Sequence, residues 1–285
     1  MTQQSLTSTP NPLSMYFRQP KLYIKLPSKG NFYPPTALEK TESGDYAVYA
    51  MTAIDELMFK TPDALMNGQS TVSVIKSCVP AIKDPWKMPT VDLDAILLAI
   101  RVATYGEGME IRQSCPKCNH LNEFNLNLIG YLDKLNAFEF NSVIQHDPLT
   151  INIRPYTYKE MTDTQIRTLE EQKILTIVND KEMSDDEKVQ LFGQSLDKLT
   201  VFTVDVIAKC ISSIVTPDTT VTDPAMITEF IKNSPSEVFN KISKHVNTMQ
   251  ELLSLKATDL QCEECKHVWS SEISMDQTNF FGKGS

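Results

Sequence analysis

The chain contains 285 residues, of which 41% are hydrophobic and 22% are charged, and its formal net charge is −9. This composition is that of a globular protein and excludes a wholly disordered or fibrous chain. The sequence pI near 5.0 argues against general nucleic-acid binding, because phosphate contacts need clustered lysine and arginine. The longest apolar run, Ala95 to Ile100, is much shorter than the roughly 20 residues of a membrane span, and the N-terminal sequence lacks the pattern of a secretory signal. We therefore expect protein partners, and neither nucleic acid nor a membrane span.

The first part of the chain predicts strands followed by helices. Residues 1–20 are rich in Ser, Thr, Pro and Gln and predict a flexible or partner-ordered arm. Apolar alternation and then helical periodicity follow, until Gly106 ends the pattern. Strands are predicted over residues 21–26 and 45–51, and helices over residues 53–59, 61–66, 70–79 and 92–105. Four residues of the last helix are expected in the core: Leu93, Ile96, Leu97 and Ile100.

The second part predicts a hairpin and then a long helical region. Residues 137–154 predict a β-hairpin whose first strand carries Phe138, Phe140 and Val143. Ser184 and Glu187 form the sequence pattern of a capping box, which marks the start of a helix. Helices are predicted over residues 158–178, from Ser184 to about Ile214, and after Pro224 and Pro235. The predicted fold class is α+β, mainly helical.

Four segments are expected along the chain. An N-terminal arm at residues 1–20 precedes an α+β domain at residues 21–128, which ends in a first cysteine motif. A β-hairpin and a helical insertion occupy residues 129–256. Residues 257–285 contain a second cysteine motif and a C-terminal tail, which complete a small zinc-ribbon-like β element that joins chain-distant segments.

Four of the six cysteines form two Cys-x-x-Cys pairs, Cys115/Cys118 and Cys262/Cys265. Each pair opens the same pattern, C-x-x-C-x-H, and a stretch typical of a strand follows it. Two thiolates at this spacing converge on one cation in a tight turn, whose backbone N–H groups donate to the sulfurs. We therefore expect one structural Zn²⁺ per chain, bound by all four cysteines. Strands that leave the two motifs are expected to pair as in a zinc ribbon.

Two other interpretations of the cysteine pairs stay open. The pairs could form a redox dithiol or a disulfide, or they could bind two separate or intermolecular metal ions. His120 and His267 could replace a thiolate, although four cysteines already complete a tetrahedral shell. Such a closed shell has no open position for a substrate, so the expected metal is structural. The isolated Cys78 and Cys210 fit apolar helical stripes and are expected to be buried thiols.

The sequence contains no recognisable catalytic constellation. The patterns of a nucleophile elbow, a zinc protease and a catalytic cysteine are absent, and Lys29-Gly30 lacks the earlier glycine of a phosphate loop. His146 falls in a predicted turn and His245 on the last long helix. We therefore expect neither enzymatic activity nor a small-molecule substrate.

Several sequence landmarks occur together in an order that is similar to that of a known family. They are Leu26-Pro-Ser-Lys-Gly-Asn-Phe-Tyr-Pro34, Asp55-Glu-Leu-Met58, Ile96-Leu-Leu-Ala-Ile-Arg-Val-Ala-Thr-Tyr-Gly106 and Asn279-Phe-Phe281. In this order they resemble the baseplate hub protein family of T4-like contractile-tailed phages, the family of the T4 hub assembly subunit encoded by gene twenty-six. The resemblance is densest over residues 22–128 and 259–281. It implies a non-enzymatic virion or virion-assembly protein that is made in the host cytoplasm.

Three functions are compatible with these features. The first is a structural component of the tail baseplate hub that docks to other tail proteins in the virion. The second is a transient hub assembly chaperone that is absent from the mature virion, and the third is a zinc-ribbon interaction module unrelated to tails. Aromatic residues on irregular segments are expected to contact partners, because buried aromatics dominate interface energetics; the alternative is packing within their own domain. These residues are Tyr16, Phe17, Phe32, Tyr33, Phe280 and Phe281.

Overall fold

The computed structural model describes residues 11–59, 68–178, 184–253 and 258–271, and this part of the chain contains eight α-helices and ten β-strands. The helices are α1 (Ala53–Phe59), α2 (Gln69–Cys78), α3 (Leu93–Tyr105), α4 (Leu128–Asn136), α5 (Tyr158–Val178), α6 (Asp185–Lys209), α7 (Pro224–Asn233) and α8 (Ser236–Leu253). The strands are β1 (Pro20–Ile24), β2 (Tyr46–Tyr49), β3 (Gly108–Ser114), β4 (Leu121–Asn127), β5 (Val143–His146), β6 (Leu149–Ile153), β7 (Ile211–Val215), β8 (Thr220–Val221), β9 (Thr258–Gln261) and β10 (Val268–Ser271). Short 3₁₀ turns occur at Pro12–Tyr16, Pro85–Lys87 and Thr90–Asp92. The helix predicted over residues 61–66 lies outside the described residues.

All strand pairs are antiparallel, and within the described residues they form four separate small sheets. Three of these sheets have two strands each: β1 with β2, β3 with β4, and β9 with β10. The fourth has the order β5-β6-β7-β8. The prediction of mixed helix and sheet is confirmed, whereas the description "mainly helical" is only loosely supported. None of the described helices is long and apolar enough to cross a membrane.

The first hydrophobic cluster is centred on α3. Helix α3 ends before Gly106, whose φ of +97° lies in the region that favours glycine. The β1–β2 ribbon, α2 and α4 pack around α3 and bury apolar side chains against it. The four residues predicted in the core are all buried, with exposed fractions of 8%, 0%, 2% and 0% for Leu93, Ile96, Leu97 and Ile100. The prediction that these four residues lie in the core is therefore confirmed, although other residues of α3 are buried as well.

A second hydrophobic cluster joins the four-stranded sheet to the helices that follow it. Ile151 pairs with Ile214 across β6 and β7, and both are buried. The apolar residues of α7 and α8 recur at helical spacing, so they lie on one face of each helix, and these two faces cover the sheet. The buried helix residues are Ile227, Ile231, Val238, Ile242 and Val246. The proposed division of the chain at residues 128/129 and 256/257 stays a prediction.

Two sequence predictions in this region are wrong. The helix that begins after Ser184 ends at Lys209, not near Ile214, and residues 211–215 form β7 instead. The apolar residues of this segment have a helix-like spacing, but β-branched side chains favour a strand when a partner strand is available, here β6. The first strand of the hairpin is Val143–His146, so Phe138 and Phe140 precede it. The capping box itself is confirmed, since Ser184 and Glu187 bond reciprocally.

Helix α4 was not predicted, although its sequence carries a recognisable signal. Asn127 caps it by accepting hydrogen bonds from the backbone N–H groups of Ile129 and Gly130. Leu128, Leu132 and Leu135 recur at helical spacing and are buried in the first cluster. The helical pattern is hard to recognise because the helix begins at Leu128, directly after the polar strand β4 that follows the first cysteine motif.

A buried carboxylate fixes the loop that leads out of β1. Asp92 accepts hydrogen bonds from the backbone N–H of Ser28 at 2.7 Å, from the Ser28 hydroxyl at 2.6 Å and from the Tyr33 hydroxyl at 2.9 Å. The loop turns at Gly30, where φ is +73° and a Cβ atom would lie 3.1 Å from the Tyr46 hydroxyl oxygen. Burial of Asp92 raises its pKa to about 6, although the hydrogen bonds from Ser28 and Tyr33 lower it.

Asp92→Asn should make the protein less sensitive to pH between about 4 and 7. The folded-state pKa of Asp92 is above its unfolded value, so its contribution to stability is present below about pH 4 and is lost as pH rises through about 6. Asparagine has no charge to bury and keeps an oxygen that can accept from the Ser28 N–H. The unfolding free energy of the variant, measured relative to wild type, should therefore be higher at pH 7 than at pH 4 by on the order of 2–3 kcal/mol. Urea unfolding at both pH values measures this gain, and a pH-independent difference would contradict the assignment.

Candidate metal centre

The two cysteine motifs form matching turns, each at the tip of its own hairpin. Strands β3 and β4 enclose the first motif, and strands β9 and β10 enclose the second. Each strand that leaves a motif therefore pairs with the strand that enters the same motif. The prediction that the two leaving strands pair with each other is wrong, because a tight turn brings the chain directly back along the strand it came from.

The backbone geometry of the two turns is the same. The N–H of Cys115 donates to the carbonyl of His120, and that of Cys262 donates to the carbonyl of His267, both at 2.9 Å. The residue after each second cysteine, Asn119 or Lys266, has a φ of 57°. This left-handed residue turns the chain back so that both thiols of a pair point to the same side. The shared sequence pattern therefore corresponds to a shared three-dimensional turn.

The four sulfur atoms lie together and have the spacing of a tetrahedral thiolate site. All four lie within 4.8 Å of one another, and the Cys115–Cys265 and Cys118–Cys262 Sγ···Sγ distances are both 3.6 Å. Zinc–sulfur bonds of about 2.3 Å in a tetrahedron place sulfurs about 3.8 Å apart, which fits these distances. A disulfide needs about 2.05 Å, and the cysteines are free thiols. The cluster is therefore able to bind a metal ion.

Burial and hydrogen bonding distinguish the cysteines within each pair. Cys115 and Cys262, the first of each pair, are fully buried, whereas Cys118 is exposed and Cys265 is partly exposed. The backbone N–H of Lys117 donates to Cys115 Sγ at 3.4 Å. Such N–H donors stabilise a thiolate, as the sequence spacing predicted.

Two of the clustered thiols have pKa values shifted in opposite directions. Desolvation raises the pKa of Cys262, but backbone N–H groups of Cys265 and Glu264 and the neighbouring thiols outweigh it and lower that pKa to about 6. The N–H of His120 lowers the pKa of Cys118, but desolvation and hydrogen bonds with the other three thiols prevail and raise it to about 12. A divalent cation stabilises the thiolate form of the cysteines that bind it.

Side chains around the sulfurs hold one turn against the other. Asn122 is buried, accepts from the backbone N–H of Glu263 at 2.9 Å and donates to the carbonyl of His120 at 2.9 Å. The ring of Phe124 packs edge-on against Trp269, with centroids 5.9 Å apart. These contacts join segments about 140 residues apart in the sequence and preorganise the site.

The two histidines of the motifs make other contacts. His120 Nδ1 lies 2.9 Å from a carboxylate oxygen of Glu264, so it adds a further link between the turns. The ring of His267 stacks on Trp269. Among the described residues, the cluster able to hold a metal ion consists of the four cysteines alone. The isolated Cys78 and Cys210 are buried as predicted, and burial raises the pKa of each thiol to about 12.

Asn122 was missed by sequence reasoning, because nothing in its position distinguishes it from other polar strand residues. Its equivalent in the second motif, four residues after the second cysteine, is Trp269. The two motifs therefore have the same turn geometry but carry different side chains at the position where one motif contacts the other. Only the fold shows that Asn122 is buried between them.

Asn122→Ala should weaken the junction between the turns and speed the loss of metal. The change leaves the Glu263 N–H and the His120 carbonyl without this partner, which costs about 1–3 kcal/mol when such groups stay buried. The measurement is the rate at which a chelator removes zinc from the loaded protein. Asn125→Ala, at an exposed position of the same strand, is the matched control and should release zinc at the wild-type rate. Equal rates for both variants would contradict the role of Asn122.

The structure places the aromatic residues predicted to contact partners in different surroundings. Tyr16 and Phe17 are exposed, at 77% and 58%. Phe32 packs edge-on against Phe140, with centroids 5.4 Å apart, and Tyr33 donates to Asp92. The remaining two, Phe280 and Phe281, lie outside the described residues. A partner-binding role for these residues stays a prediction.

The fold and the cysteine cluster define a mixed helix-and-sheet protein in which two chain-distant turns meet at four cysteines that could bind a metal ion. Its sequence matches the family described as T4 bacteriophage base plate protein over residues 34–282, and the chain belongs to that family. Comparisons with curated proteins and with solved structures give no match. The family match confirms the resemblance identified from the sequence. It indicates a structural role in a phage baseplate, among other baseplate and tail proteins.

Proposed function

We propose that this protein is a non-enzymatic structural component of the hub region of a contractile phage tail baseplate, where it docks to other tail proteins. The observation that carries the proposal is the family match, which extends over most of the chain and includes both cysteine motifs. The protein is assembled in the host cytoplasm and stays in the virion tail. This function requires stable surfaces rather than a reaction centre.

We further propose that Cys115, Cys118, Cys262 and Cys265 bind one Zn²⁺ per chain. The support is the spacing of the sulfurs and the closed shell of four thiols, which is typical of structural zinc. The metal would stabilise the junction of the two hairpins. Elemental analysis of purified protein tests this directly, since about one zinc per chain is expected.

The exposed aromatic residues near the N-terminus are proposed as docking contacts. Arg18 fastens the preceding residues to the domain, because its guanidinium donates to the carbonyl and hydroxyl of Ser77, each at 2.7 Å, and pairs with Asp55 at 3.4 Å. Tyr16 and Phe17 lie directly before this anchor and remain exposed. Because Arg18 already holds the adjacent backbone in place, Tyr16 and Phe17 would lose little conformational entropy when a partner covers them.

Quantitative mass spectrometry of purified tails tests the proposed role. A structural component is expected at a fixed stoichiometry relative to other baseplate proteins. Its presence in assembly intermediates and its absence from mature tails would instead identify a transient hub assembly chaperone. Absence of the protein from both assembly intermediates and mature tails would favour the third function, a zinc-ribbon interaction module unrelated to tails.

A further inference from the structure

The outward face of β1 combines two lysines with an aromatic ring. Lys21, Tyr23 and the following Lys25 are exposed, whereas Leu22 and Ile24 point toward the first hydrophobic cluster. The alternation follows from the twofold period of a strand, although the register with β2 shifts between Pro20 and Leu22 and β1 ends one residue before Lys25. Tyr23 is 64% exposed, and its cross-strand neighbour on β2 is the small residue Ala47. We call Lys21, Tyr23 and Lys25 the β1 outer face.

The β1 outer face has no partner among the described residues. Neither lysine forms an ion pair with any residue that the structure describes, and the hydrogen bonds of the nearby Asp45 involve its backbone rather than its carboxylate. The sheet contains only β1 and β2, and apart from this pairing β1 makes no backbone hydrogen bond within the described residues. The strand therefore has a free edge as well as a free face.

We propose that β1 binds an extended acidic segment of a partner protein, which adds to the sheet at the free edge. The argument is charge complementarity: two unpaired lysines lie on one strand face of a protein whose net charge is −9. Lysine on an edge strand can also serve only to prevent unwanted pairing. That purpose does not need an exposed tyrosine between the lysines, whereas a docking strand uses such a ring as its anchor.

The spacing of the β1 outer face sets the pattern of the bound segment. Lys21 and Lys25 are four residues apart, which corresponds to at most about 13 Å, because the register shift beside Lys21 departs from regular strand geometry. Side chains of paired strands meet on the same face at every second residue. The segment should therefore carry two carboxylates four residues apart, with an apolar residue midway that covers Tyr23. The inference is independent of the metal site.

The test uses the full-length protein and a fluorescent peptide containing Glu-Thr-Val-Thr-Glu, with a Lys-Thr-Val-Thr-Lys peptide as the charge control. Fluorescence anisotropy should show binding of the acidic peptide alone. The double variant Lys21→Glu/Lys25→Glu should bind at least about tenfold more weakly, since it replaces two attractions by two repulsions. Lys188→Glu/Lys198→Glu, with the same change in net charge on α6, should bind as wild type does.

Hydrogen exchange identifies the mode of binding. The acidic peptide should slow amide exchange in β1 and leave exchange in β3 and β4 unchanged. Tyr23→Ser should also weaken binding while retaining both lysines. No binding of the acidic peptide, equal binding by the two double variants, or preferential binding of a single-stranded oligonucleotide would each overturn the proposal.

Discussion

Replacing Cys262 with serine should lower the zinc content to well below one ion per chain and loosen both cysteine turns. Serine is a poor zinc ligand, and the binding free energy of a structural zinc contributes directly to folding. The other turn should be affected because Cys118 and Cys262 lie side by side, with sulfurs 3.6 Å apart. The measurements are elemental analysis and amide exchange in β3, β4, β9 and β10.

The control for this experiment is Cys210→Ser. Cys210 is also a buried thiol, but it belongs to the second hydrophobic cluster and lies outside the group of four clustered cysteines. Its substitution should cost stability without changing the zinc content. An unchanged zinc content in Cys262→Ser, or about two zinc ions per chain in wild type, would refute the joint site. Removal of zinc from wild type by a chelator should reproduce the exchange pattern of Cys262→Ser.

Leu97→Ala should destabilise the protein by about 2–5 kcal/mol, the usual loss for a leucine deleted from a packed core. Leu97 is 2% exposed, in the middle of α3, where β1, β2, α2 and α4 converge. The free energy of unfolding in urea measures the loss. Leu57→Ala is the matched control, because Leu57 on α1 is 63% exposed, and it should change stability by no more than about 0.5 kcal/mol. A similar loss for both variants would show that α3 is not the centre of this core.

The features predicted correctly from the sequence are those that depend on nearby residues. The extent of α3 follows from apolar residues at helical spacing and from Gly106. The capping box at Ser184 and the two cysteine turns likewise involve residues within a few positions of one another. Local patterns of this kind are sufficient because the interactions that they describe are themselves local.

The features that could not be predicted depend on segments far apart in the chain. Strand β7 forms because β6, about 60 residues earlier, offers it a partner with isoleucines on the buried side. Asn122 is important because folding brings Glu263 within 2.9 Å of it. The cysteine pattern indicated that two distant turns could share a metal ion, but the contacts that bring these turns together leave no periodic trace in the sequence.

The distance between the two cysteine turns along the chain also determines when their site can form. Cys115 and Cys265, whose sulfurs are neighbours, are separated by 150 positions. A ribosome that adds about 5–20 residues per second needs roughly 8–30 s to make this interval. During that time the first turn exists without its counterpart, and the whole helical region is synthesised before the second turn emerges. A chain that terminates early in this interval keeps the two thiols of the first turn without their counterparts, so closure of the four-sulfur cluster marks a chain that has been translated past Cys265.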